Sequence, residues 1–341
     1  MKVCQCRGTL WLMFCFMVMW VFSYQTGVAA DSKWIEEAKK EGSVVWYTSM
    51  ELGQANHVAG RFKEKYPFIK VDVLRTGGGP LMNRILAEAR GGKHSWDVAV
   101  GRGEMILPLL ERKLLASYRS PETSMIFDDL VDREGFWTAY YANPHGLGFN
   151  TRMVSNADVP GSYEALLDPK WKGKKISLDT EGYGLFAGLI RAWGREKALS
   201  YFNKLAAQEP VLMRGNTSRI QLVTAGEYPL LISYPSLLQV HTSKGAPIDW
   251  VHLEPAVVLI YPVMLAARSP NPSAGKLLID FLLSKEGQQT LVSLKRVPVR
   301  KDVDADPPRL SKGYKRIVEH PEDYKDFKGV VKTYQEIFSL R

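Results

Sequence analysis

Apolar positions along this chain follow two periods. Short runs of strand length alternate with longer stretches in which apolar residues recur every three or four positions. The run Ser43–Ser49 reads SVVWYTS. Four β-branched or aromatic residues closed by two hydroxyls predict a strand apolar on both faces, as in a parallel sheet covered on both sides. The stretch after it, Leu52–Tyr66, places Ala55, Val58, Ala59 and Phe62 on one helical face and stops at Pro67. Before it, Asp31–Glu41 predicts a helix with Asp31 or Ser32 as cap. Strand Ile69–Leu74, a helix from Pro80 carrying Leu81, Ile85, Leu86 and Ala89, strand Trp96–Val100 and helix Glu104–Lys113 follow.

The pattern loosens after Asp132, with extended segments at Trp137–Tyr141 and Gly146–Asn150. Val159–Leu167 opens a new unit capped by Ser162. Strands are predicted at Lys175–Leu178, Val211–Met213, Leu230–Ser233, Pro247–Leu253 and Val257–Ala267. Helices are predicted at Leu185–Trp193, Glu196–Ala207, Arg219–Ala225, Ser273–Leu283, Gly287–Lys295 and Tyr324–Phe338. Alternating strands and helices without a low-complexity linker predict two α/β lobes.

Ligands in such sheets lie beyond the carboxyl ends of the strands, near helix N-termini. Thr48 and Ser49 stand at the first such end, where they either hold a ligand or cap the helix. The second end carries Gly77, Gly78 and Gly79 ahead of Pro80, which lets backbone N–H groups approach an anion. No Gly-Lys-Ser/Thr follows, so this is not a phosphate loop. Arg102 lies between two glycines at the third end, where a guanidinium can clamp a carboxylate or phosphate. A second set of polar ends offers Glu181, Tyr183, Arg214, Asn216 and Tyr234.

Composition sharpens this picture in three ways. The chain has 341 residues, which suits two domains of ordinary size. Lys2 and Arg7, the apolar run Thr9–Phe22 and the small residues Val28-Ala29-Ala30 describe a signal peptide over residues 1–30, cleaved after Ala30 and too short for a comfortable membrane span. A retained anchor is the alternative. Cys4, Cys6 and Cys15 all lie in that leader, so the mature chain has no disulfide and no thiolate chemistry. Two of the nine net positive charges also lie there, and the remaining +7 is spread along the chain without a basic, aromatic-interleaved run. Nucleic acid is therefore not expected as a partner.

Enzyme motifs are mostly missing. There is no His-Glu-x-x-His and no Gly-x-Ser-x-Gly, and the six histidines lack ligand spacing. Ser273-Ala274-Gly275-Lys276 matches Ser-x-x-Lys but lacks its companion motifs, so Ser273 reads as a helix cap.

Seven segments, in order, carry a resemblance to a known family: GSVVWYTS, TGGGPLMNRILAEA, WDVAVGRG, HGLGFNT, VPGSYEALLDPKWKGKKISL, TAGEYPLLISY and NPSAGKLLIDFLLSKEGQQ. Together they resemble the type II periplasmic substrate-binding proteins of ABC transporters, in the ferric-binding-protein-like group. The resemblance implies a two-lobed α/β fold with a ligand cleft between lobes joined by two crossing strands, near Gly146–Asn150 and Trp250–Leu253. Lobe one would comprise residues 31–148 and 253–341, and lobe two residues 149–252. It also implies a monomer that delivers a small-molecule solute to a membrane permease. Ferric members hold iron with a His, a Glu and an adjacent Tyr pair. The matching positions here offer Met50-Glu51, Arg102 and a single tyrosine in Tyr234-Pro235. A guanidinium in place of a carboxylate suits an anion better than a cation. The expectation is therefore a non-enzymatic binder of a small anionic solute, with no cofactor and no metal ligand set. The site would hold Thr48, Ser49, Gly78, Gly79, Arg102, Glu181, Tyr183, Arg214, Asn216 and Tyr234. Ferric iron, with a synergistic anion, is one alternative. An exported serine hydrolase using Ser49 or Ser273 is another, and it needs a base beside the serine.

Overall fold

The computed structural model describes residues 34–340. The expected leader, its cleavage site, the three cysteines and the Asp31 or Ser32 cap lie outside the described residues. A helix over 34–41 (α1) leads into β1, Ser43–Thr48. Helix α2, Leu52–Lys65, strand β2, Lys70–Arg75, helix α3, Gly78–Arg90, and strand β3, Val98–Val100, follow. β1 pairs in parallel with β2 and β3 on its two edges, which makes it a central strand of the sheet. The helix expected over Glu104–Lys113 is a 3-10 turn, Gly103–Met105, and a short helix α4, Ile106–Glu111.

The first sheet is completed by β4, Leu115–Ala116, β5, Thr138–Pro144, and two strands from the far end of the chain, β11, Ala256–Ala266, and β12, Arg316–Val318. Its backbone order is β12-β11-β3-β1-β2, with β4 and β5 also pairing β11. Helices α9, Pro272–Leu283, and α10, Lys285–Ser293, cover it. Buried Asp97 stitches this lobe together: it accepts from Val45 N at 2.7 Å, Ser269 Oγ at 2.6 Å and Asn271 N at 2.7 Å. Ser273 is not the cap of α9. The carboxylate of Glu41, at the end of α1, accepts from Ser273 N at 3.1 Å and Ala274 N at 2.7 Å. Ser273 Oγ instead donates to Glu37. A cap supplied by another helix leaves no local sequence signature.

The second sheet contains β6, Gly146–Asn150, β7, Ile176–Asp179, β8, Val211–Met213, β9, Leu230–Ser233, and β10, Ile248–His252, in the order β10-β6-β9-β7-β8. Helices α5, Tyr183–Trp193, α6, Arg195–Ala206, α7, Asn216–Ala225, and α8, Pro235–Thr242, belong to this lobe. α8 was not expected. Pro235 reads as a break after a strand, but it occupies the first helical turn, where its missing N–H costs nothing.

The two crossings and the place of the last helix differ from the expectation. β6 pairs along its whole length with β9 and β10, so the first crossing is at His145, between β5 and β6. The second is at residues 253–255, because β10 also pairs within the second sheet. The last helix, α11, Phe327–Ile337, does not stay with lobe one. It packs on α5 and α6, with Tyr334 Oη donating to Asp179 O at 2.7 Å and its ring against Tyr183, Phe186 and Phe202. The amphipathic face of α11 fits either lobe, so sequence alone did not place it.

Candidate functional site

Six strand ends meet across one cleft of about 640 Å³. Ser49 follows β1, Arg75–Gly79 closes β2 and Arg102 follows β3. Opposite them stand Asp179–Tyr183 after β7, Arg214–Asn216 after β8 and Tyr234 after β9. That volume lies in the range of small-molecule sites. A second, tighter cavity of about 40 Å³ lies deeper, lined by Arg102, Glu104, His145, Arg219, Tyr234 and Glu319 among others.

Ser49 does not cap α2. Glu51 does, its two carboxylate oxygens accepting from Gly53 N and Gln54 N at 2.9 Å each, which holds its pKa below the usual carboxylate range. Ser49 Oγ is buried without a hydrogen-bond partner and borders the cleft. Thr48 leaves the candidate set: it is fully buried, and its hydroxyl accepts from Met50 N at 3.1 Å. The side-chain alternation of β1 turns Thr48 inward where Ser49 faces the cleft.

Gly77, Gly78 and Gly79 open α3 without a side-chain cap, so the N–H groups of Gly78 and Gly79 point outward from a 13-residue helix. Arg102 lies across this turn. A Cβ on Gly78 would come within 3.0 Å of Arg102 Cδ, so glycine is what allows the guanidinium stem to rest there. Burial works against the Arg102 charge, but Tyr261, Glu104, Tyr234 and Glu181 outweigh it and keep the group firmly protonated.

On the other wall, Glu181 and Arg214 form an ion pair at 3.0 Å. Asn216 is held from behind, its Oδ1 accepting from Arg219 Nη2 and from Ser233 Oγ, both at 2.7 Å. Tyr183 borders the cleft and packs edge-on against Phe327 and Tyr334. The Tyr234 ring lies 4.9 Å from that of His145, and burial pushes its phenol well above the ordinary value. The structure thus brings nine of the ten expected residues to one cleft.

Several cleft or supporting residues escaped the sequence reading. Arg75, Tyr141, Tyr261 and Arg296 line the cleft. Arg75 adjoins the glycine run, which was a usable signal. Arg296 follows a helix and reads as surface, yet its Nε and Nη2 donate to Gln54 Oε1 at 2.9 and 2.7 Å. Arg219, almost fully buried, donates to the carbonyls of Ser177 and Ile232 and lies 3.5 Å from Asp179. Glu104 is a buried carboxylate lining both the cleft and the tighter cavity, and Glu319 is one lining the tighter cavity. Burial raises Glu104, against the pull of Arg102. Burial raises Glu319 to about 8, although Tyr324 Oη and Ile260 N both donate to it. His145, at the first crossing, is lowered to about 4 by burial; its Nδ1 lies 3.0 Å from Val257 O, which fixes the proton on that nitrogen. Among the described residues no group of three or more His, Cys, Asp or Glu could hold a metal ion, and no helix is long and apolar enough to cross a membrane.

A family model described as bacterial extracellular solute-binding protein matches residues 100–318. A Salmonella typhimurium periplasmic protein, provisionally named for binding 2-aminoethylphosphonate, is 27% identical over 248 residues, covering 69% of this chain and 71% of its own. Among solved structures, AfuA from Actinobacillus pleuropneumoniae with fructose-6-phosphate bound superposes with a TM-score of 0.76 at 23% identity, covering 88% of this chain and 99% of the other. Iron-bound HitA from Pseudomonas aeruginosa gives 0.76 at 20% identity, covering 86% and 99%. These structural likenesses show the expected two-lobed fold.

Proposed function

Since the chain belongs to the bacterial extracellular solute-binding proteins, we propose that it captures a small anionic solute in the interlobe cleft and hands it to the membrane permease of an ABC importer. Lobe closure about His145 and residues 253–255 would accompany capture. One observation carries the reading: Arg102 rests on Gly78 at the uncapped N-terminus of α3, in a cleft bordered by the unpartnered hydroxyl of Ser49. These donors suit phosphonate, phosphate or carboxylate oxygens. The Salmonella relative's name and the sugar phosphate in AfuA support an anionic head group. Export would follow cleavage after Ala30.

The other two readings fit less well. For ferric iron, Tyr234 and Tyr261 line the cleft, but the Arg102 guanidinium shares it with them and opposes a cation. For a serine hydrolase, Ser49 Oγ has no base bonded to it and Ser273 lies away from the cleft. The test is a thermal-shift screen of phosphonates, phosphate esters, carboxylates and sulfonates. A solute at a hundred times its Kd adds about 2.7 kcal/mol. Arg102→Ala should abolish most of that rise; a rise that survives unchanged would sink the anion reading.

A further inference from the structure

The charged groups lining the cleft balance: Arg75, Arg102, Arg214 and Arg296 against Glu51, Glu104, Asp179 and Glu181. Most are already engaged. Glu51 caps α2, Glu181 pairs with Arg214, and Asp179 accepts from Glu181 N and lies 3.5 Å from Arg219. Arg75 donates to Met50 O and Arg296 to Gln54. One pair is loose. Arg102 Nη1 and Glu104 Oε1 stand 3.9 Å apart, beyond hydrogen-bond distance, and Glu104 is more than nine-tenths buried. Among the described residues no hydrogen bond reaches its carboxylate.

Resting on the anion reading above, we propose that the solute is a zwitterion and that Glu104 binds its positively charged group. An anion that takes Arg102 for itself strips Glu104 of its nearest counter-charge. A buried carboxylate without one is strongly unfavourable. A plain anion would therefore bind against Glu104, whereas a cation carried on the same solute replaces what Arg102 withdraws. Tyr234 and the stacked pair Tyr141–Tyr261 line the same cleft, and aromatic walls of this kind tolerate an ammonium. Arg102 and Glu104 are two residues apart on one turn, so the two charges of the solute should be separated by only a few atoms. Glu104 is thus the specificity-determining residue and Arg102 the anchor.

The test uses matched pairs that differ only in a terminal ammonium: 2-aminoethylphosphonate with ethylphosphonate, phosphoethanolamine with ethyl phosphate, β-alanine with propionate, and taurine with ethanesulfonate. Calorimetry on the wild type should show, for at least one pair, the zwitterion binding tenfold or more tighter than its partner. Glu104→Gln, of the same shape without the charge, should lose that preference while holding the plain anion as tightly or tighter. Arg102→Ala should lose both members. If both members of every binding pair bind the wild type equally while Arg102→Ala loses them, the anion site stands and the zwitterion proposal is overturned. If no member binds the wild type, or Arg102→Ala changes nothing, the anion reading fails and takes the proposal with it.

Discussion

Gly78→Ala isolates the contact between the α3 turn and Arg102. The added Cβ would lie 3.0 Å from Arg102 Cδ, 3.1 Å from Cγ and 3.2 Å from Nε. Backbone φ at Gly78 is helical, so alanine suits the position and should not weaken the fold; its propensity gain is at most about 1 kcal/mol. The Arg102 stem must then swing away from the helix N-terminus. A charge-assisted hydrogen bond is worth about 1.5–3 kcal/mol. Displacing the donor rather than deleting it points to the lower figure, which is roughly a tenfold loss of affinity. Calorimetry with the best solute from the screen reads this directly, and the thermal midpoint of the unliganded protein should hold or rise. The double variant closes the argument. In an Arg102→Ala background the Gly78→Ala loss should vanish, because there is no stem left to displace. Unchanged affinity in the single variant, or additive losses in the double, would refute the proposed role of this turn.

Three further outcomes follow from the packing and the electrostatics. Glu41→Ala removes the cap of α9 and should cost about 1 kcal/mol, lowering Tm by about 2–4 °C; an unchanged melting curve would show that water replaces the cap without loss. Glu319 is raised to about 8, so the folded state holds a proton that the unfolded chain releases from about pH 4.3 upward. Its contribution is therefore complete below the unfolded pKa and falls as pH rises through 8; Glu319→Gln should flatten the decline in Tm between pH 5 and 8.5, and parallel curves would contradict this. Titration with ferric citrate should give no strong visible tyrosinate band, since the Arg102 guanidinium shares the cleft with Tyr234 and Tyr261 and opposes a cation; a strong band lost in Tyr234→Phe would restore the iron reading.

Most strands of both sheets were legible because β-branched and aromatic runs write them locally; the short β4 and β12 were not. Val211–Met213 and Leu230–Ser233 match residue for residue. The cleft was legible wherever a polar residue directly follows a strand, as at Ser49, Arg102 and Tyr234. It was not legible where function depends on folding distant elements together. Glu104 sits in a short turn that reads as a surface helix start, and the turn packs against β11 and the distant turn Pro321–Tyr324, which leaves Glu104 buried. Arg219 lies on a helix where an arginine normally faces water, and Glu319 follows a strand too short to recognise. Thr48 shows the opposite failure: two adjacent hydroxyls look alike in sequence, and strand alternation separates them.

The described residues begin on one lobe and end on the other. α1 is fastened to α9 of the first sheet through Glu37 and Glu41, while α11 is fastened to the second lobe through Tyr334. The polypeptide therefore carries its own ruler. A fluorescent donor near residue 34 and an acceptor beyond residue 337 would ride on opposite bodies, and their energy transfer would report the angle between the lobes without a label in the cleft.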